Sequence, residues 1–104
     1  MTAPPTVVIA RLGRDLDDRG NGPACVRFDG RPDVIHCRAL ADSGEIEATL
    51  ASAPTPLSDA LTEIAIETFA ICAHGQALEW RVEGDGSDYA IEMVGRADRM
   101  ERAA

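Results

Sequence analysis

Only one stretch of this chain repeats its apolar residues at helical spacing. Leu57, Leu61, Ile64, Ala65, Thr68, Phe69 and Cys72 would fall on one face of a helix. Everything else is short apolar runs or strict alternation, broken by Gly, Asp, Asn and Pro. A single helix cannot bury its apolar face alone, so it has to cover a sheet built from the rest of the chain.

The limits of the helix are legible too. Thr55 suits an N-cap, Pro56 suits the first helical position, and Asp59 lies near the positive end of the helix dipole. His74-Gly75 supplies the expected stop. Roughly 18 residues of helix span roughly 27 Å.

Before the helix, Thr6 to Leu12 is a β-branched apolar run that reads as a strand, and Asp15 to Pro23 breaks it with loop chemistry. Ala24 to Phe28 resumes as a strand, Asp29-Gly30-Arg31-Pro32 turns, and Val34 to Leu40 returns. A turn at Asp42-Ser43-Gly44 leads into Glu45 to Leu50, where Ile46, Ala48 and Leu50 alternate with Glu45, Glu47 and Thr49. After the helix, Leu78, Trp80 and Val82 alternate with Glu79, Arg81 and Glu83. Gly84-Asp85-Gly86-Ser87 turns, and Tyr89, Ile91 and Met93 continue the apolar face.

The fold expected is therefore α+β: an antiparallel β-sheet in the order ββββ-α-ββ with one long helix packed on one face. The first four strands form a meander, and Arg96 to Ala104 forms a short C-terminal helix or tail. At 104 residues the chain makes one domain, with 1–5 and 97–104 as frayed ends. Its 45% hydrophobic and 27% charged residues exclude a disordered chain. No run approaches the length of a membrane span, and Val7 to Ala10 is too short for a signal-peptide core, so the expectation is a cytoplasmic protein.

Charge narrows function further. Eighteen acids against ten bases leave a net charge of −8, with a pI near 4.5. Direct binding to nucleic acid or to an anionic membrane needs the opposite sign. All ten bases are Arg and seventeen residues are Ala, a pattern expected of GC-rich bacterial or phage coding. From Ala39 to Trp80 there is no base at all, while Asp42, Glu45, Glu47, Asp59, Glu63, Glu67 and Glu79 all fall there.

Four constellations carry possible chemistry. His36, Cys37, Cys72 and His74 supply four nitrogen and sulfur ligands, the number that tetrahedral zinc takes. However, His36 and Cys37 are strand neighbours that point to opposite faces, so no metal is expected. Asp15-Leu16-Asp17-Asp18-Arg19-Gly20 hints at calcium, yet Arg19 and Val26 stand where an EF-hand loop needs oxygen ligands. Catalysis would need a nucleophile beside a base, and no nucleophile elbow or P-loop pattern provides one, so no enzyme and no cofactor are expected. The odd number of cysteines, Cys25, Cys37 and Cys72, points to reduced thiols.

The fourth constellation is acidic. Asp59, Glu63 and Glu67 repeat every four residues along the helix, and Glu45 and Glu47 project from the polar side of their strand. Like charges at this spacing weaken a helix slightly; the stripe reads either as the solvated outer face of an acidic protein or as a surface complementary to a basic partner. The function expected is a small acidic, non-enzymatic binding protein that regulates or inhibits a macromolecular partner with a basic or nucleic-acid-binding surface. Inhibitors, antitoxins and immunity proteins are of this physical type. The contact residues would be Asp59, Glu63, Glu67, Glu45 and Glu47. The alternatives are a thiol- or zinc-binding protein using His36, Cys37, Cys72 and His74, and an accessory subunit of a larger enzyme complex. A homodimer through the final hairpin is a further expectation, since exposed sheet edges pair readily.

Overall fold

The computed structural model describes residues 4–14 and 24–97. Along the chain come β1 (Thr6–Arg14), β2 (Ala24–Phe28), β3 (Val34–Ala39), β4 (Ile46–Leu50), α1 (Ser58–Ile71), β5 (Ala77–Asp85) and β6 (Asp88–Arg96). The six strands form one antiparallel sheet in the order β4-β3-β2-β1-β5-β6, and α1 packs on one face of it. The α+β expectation holds, meander included. The loop at Asp15 to Pro23, with its acidic turn, and the tail beyond Ala97 lie outside the described residues.

Strand order, which the sequence leaves open, follows from where the helix returns the chain. Residues 51–57 cross one end of the sheet, and Gly86 N–H donates to the Pro56 carbonyl at 2.8 Å, so α1 starts beside the β5–β6 turn. It ends near the far end of β1, where Gly75 N–H donates to the Leu12 carbonyl (2.8 Å) and Leu12 N–H to the Gln76 carbonyl (3.0 Å). Those two bonds seed the pairing of β5 with the free side of β1, in the register Arg11 to Ala77 through Thr6 to Val82.

The same bonds shorten the helix. Instead of running to His74, it stops at Ile71, and Cys72 is already extended at φ −92°, ψ 151°. Gly75, at φ +86°, serves the turn into β5. At the other end α1 begins at Ser58, not at Pro56, and its flanking residue Leu57 makes no side-chain cap. Thr55 caps the preceding turn instead. Leu57 N–H donates to Thr55 Oγ1 (3.3 Å), and Thr55 N–H donates to Ser58 Oγ (2.7 Å), a reciprocal pairing like that of a capping box.

Two strands outrun their expected limits. β1 extends to Arg14, which pairs with Ala24, and β6 runs through Arg96 where a tail was expected. The final turn has two residues, Gly86 and Ser87, with Gly86 at φ +61°, which suits a type II′ hairpin. At Gly84 (φ +91°) an added Cβ would collide with the Asp88 carbonyl, so this strand position requires glycine.

The core lies between α1 and the sheet. Val8, Ala10 and Leu12 of β1, Val26 and Phe28 of β2, Ile35 and Cys37 of β3 and Leu78, Trp80 and Val82 of β5 meet Leu61, Ile64 and Ala65 of the helix. Trp80 is buried on an inner strand, whereas Tyr89 sits half-buried on the edge strand β6. Thr68 Oγ1 is fully buried and has no hydrogen-bond partner. Thr68→Val therefore removes an unsatisfied hydroxyl from the core, and we expect it to stabilise the protein by about 1 kcal/mol. Thermal unfolding would show this as a rise of about 4–8 °C.

Candidate functional site

Burial along α1 separates two faces. Ser58, Ala60, Leu61, Ile64, Ala65 and Thr68 face the sheet, and Asp59, Glu63 and Glu67 are exposed on the outer side. The helix has no basic residue in its last turn, and among the described residues none of the three acids takes part in an ion pair. Four residues of helix advance about 6 Å, so the three carboxylates form a row of about 12 Å. Tyr89 borders it: its hydroxyl donates to the Asp59 carbonyl at 3.3 Å. Burial raises the pKa of the Tyr89 hydroxyl, and the Glu63 and Asp59 carboxylates raise it further.

Glu45 and Glu47 do not join this row. Ile46, Ala48 and Leu50 pack toward the core under α1, so alternation along β4 sends Glu47 to the opposite face of the sheet. There its Oε1 accepts from Arg38 Nε at 2.6 Å. Glu45 is exposed just before β4, its carbonyl held by Leu40 N–H (2.7 Å). The five acidic residues expected on one contact surface thus fall on two sides of the molecule. Four-residue spacing sets Asp59, Glu63 and Glu67 in one row, whereas the packing of Ile46, Ala48 and Leu50 under α1 turns Glu47 away from it.

The sheet face away from α1 carries charges of both signs, in pairs. Arg11 Nη2 meets Asp29 Oδ2 at 2.9 Å, Arg38 meets Glu47, and Arg81 Nη1 meets Glu92 Oε1 at 3.3 Å. Cys25 also lies on this face, opposite His36 in the β2–β3 register, and Arg27 Nη1 donates to its Sγ at 2.8 Å. From the sequence alone Cys25 reads only as a reduced thiol, with no link drawn to His36 or Arg27, though a signal is present. A hairpin centred between Gly30 and Arg31 sets Cys25 against His36 by counting alone.

The four residues of the thiol or zinc reading stay apart. His36 faces outward from the sheet, while Cys37 turns into the core, its Sγ 3.8 Å from the Ala65 carbonyl to which it donates. Cys72 is buried just after α1, and His74 is exposed in the following turn. Among the described residues no group of three or more His, Cys, Asp and Glu could hold a metal ion.

Burial, with a smaller contribution from Cys25, raises the Cys37 thiol from 9.0 to about 11. The folded state then holds a proton that the unfolded chain releases first. This stabilisation is complete below pH 9 and is lost as pH rises toward 11, on the order of 2 kcal/mol. Denaturant unfolding of wild type and Cys37→Ala between pH 8 and 11 should show a steeper alkaline loss for wild type. Parallel curves would remove Cys37 as the cause.

Comparison with protein-family models, with curated proteins and with solved structures finds no match. Among the described residues no helix is long and apolar enough to cross a membrane.

Proposed function

We propose that this protein is a small acidic, non-enzymatic binding module that regulates or inhibits a macromolecular partner with a basic or nucleic-acid-binding surface, in the manner of an inhibitor, antitoxin or immunity protein. The observation that carries this reading is the row Asp59, Glu63 and Glu67, exposed along α1 with no ion pair among the described residues. Elsewhere on the surface Asp29, Glu47 and Glu92 are balanced by arginines. Among the described residues Asp42, Glu45, Glu79, Glu83, Asp85 and Asp88 also stand outside the ion pairs, but the helix row sets three such acids at four-residue spacing on one face of a single helix.

A partner with basic side chains would be drawn to such a row over a distance of about a Debye length and oriented as it arrives. Three carboxylates held on one helix face compete for the groups that would otherwise hold phosphates. Glu45 and Glu47, on the other side of the sheet, are not part of this contact.

Affinity capture with the purified protein at about 50 mM and about 500 mM salt tests the reading, because screening shortens the reach of exposed charge several-fold between these conditions. A basic partner retained at low salt and released at high salt is the expected result. A partner held equally at both would point to an apolar interface and an accessory-subunit role.

A further inference from the structure

The edge strand β6 has a side that nothing in the described chain occupies, and the residues along it fit themselves. β6 is the last strand of the sheet and pairs only with β5, from Asp85 to Asp88 at the turn up to Leu78 to Arg96. Counting from the two-residue turn, Asp88, Ala90 and Glu92 exchange backbone hydrogen bonds with β5. The N–H and C=O groups of Tyr89, Ile91 and Met93 are therefore directed away from the sheet. A bulge between Glu79 and Trp80 of β5 and Met93 and Gly95 of β6 leaves Val94 without a partner in the ladder, so the regular edge ends at Met93. Along it Tyr89 and Ile91 are half-buried against the core, and Met93 is 48% exposed.

We propose that two copies of this chain pair antiparallel through β6, with Ile91 opposite Ile91 and Tyr89 opposite Met93 of the second copy, joining their sheets. In this register outward-facing backbone groups meet each other. On the helix side the contacts are Ile on Ile and, twice, a thioether against an aromatic ring. On the other side Ala90 faces Glu92, so no acid lies directly opposite an acid. The two neighbouring registers of the same strand are worse: one opposes Glu92 to Glu92 and the other opposes Asp88 to Glu92, like charges directly across a strand pair. Charge thus selects one alignment for a second copy. The two-fold axis stands perpendicular to the strands at Ile91, which puts both helices on one side of the joined sheet. The dimer would then offer two acidic rows to one partner.

Sedimentation equilibrium across a concentration series should show the average mass rising from 11.1 kDa toward twice that value. Because each chain carries −8, added salt should strengthen this association, the reverse of its effect on a basic partner. Met93→Lys puts a charge on the exposed edge and should hold the protein at the single-chain mass, with an unchanged circular dichroism spectrum. Ile91→Cys gives a second readout: directly opposed residues of a hydrogen-bonded pair lie about 5.5 Å apart between Cα atoms, within disulfide reach. Mild oxidation should link most of the Ile91→Cys chains into covalent dimers and leave wild type, whose three cysteines are buried, and Asp88→Cys unlinked. Wild type remaining at 11.1 kDa at millimolar concentration overturns the proposal. So does Asp88→Cys linking as readily as Ile91→Cys. Should Met93→Lys fail to fold, the oxidation result decides.

Discussion

Replacing Phe28 by Ala is expected to lower the unfolding free energy by about 3–5 kcal/mol. Phe28 closes the end of β2, is 2% exposed, and belongs to the cluster that α1 covers. The ring is one of only four aromatic side chains in 104 residues. Much of the surrounding core is Ala, Val and Cys, and such small side chains have little freedom to move into the space a ring leaves. Against a total of about 5–15 kcal/mol for a domain of this size, the variant loses a large share of its stability. Denaturant unfolding should show a midpoint shift at an unchanged slope. A loss under about 1 kcal/mol would mean that Phe28 is not packed as described.

The second large effect concerns a buried charge. Asp33 is 1% exposed; its Oδ2 accepts from Arg31 Nε at 2.9 Å, and its Oδ1 has no partner. Arg31 is itself 28% exposed at the side chain, so the pair lies at the boundary of the core. Removing the arginine leaves a carboxylate desolvated and uncompensated, the costly way to break such a pair. Arg31→Met is expected to destabilise the protein by about 3 kcal/mol at neutral pH, within the range for buried pairs broken on one side. Adding Asp33→Asn to that variant should restore part of the loss, because the orphaned charge is then gone. If the double variant is less stable than Arg31→Met alone, the desolvated carboxylate is not the cause.

Much of the fold is legible because local chemistry and tertiary packing agree. β2 spans Ala24 to Phe28 as expected, since alternation and the Asp29-Gly30 turn both mark its end. The discrepancies fall where tertiary bonds decide. The helix gives up Cys72 to His74 because the backbone of Gly75 and Gln76 is already paired with Leu12. Thr55 and Pro56 have the chemistry of a helix start, yet the hydrogen bonds of Thr55 close a turn just before it, and the Pro56 carbonyl accepts from Gly86. The candidate site was half legible. Four-residue spacing is enough to place Asp59, Glu63 and Glu67 together, but grouping Glu45 and Glu47 with them required knowing which sheet face α1 covers. Alternation with Ile46, Ala48 and Leu50 carried that information, since a strand whose apolar side meets the helix turns its acids the other way.

The charge reversal Asp59→Lys, Glu63→Lys and Glu67→Lys tests the central claim most directly. The three positions are exposed on α1 and lysine is a better helix former than aspartate, so the fold should survive, as unfolding curves would verify. Its affinity for a partner captured at low salt should fall at least about 100-fold, a change of the size that reversing a steering and contact surface produces. Binding within about threefold of wild type, by a variant that is folded, would contradict the assignment of the α1 row as the contact surface.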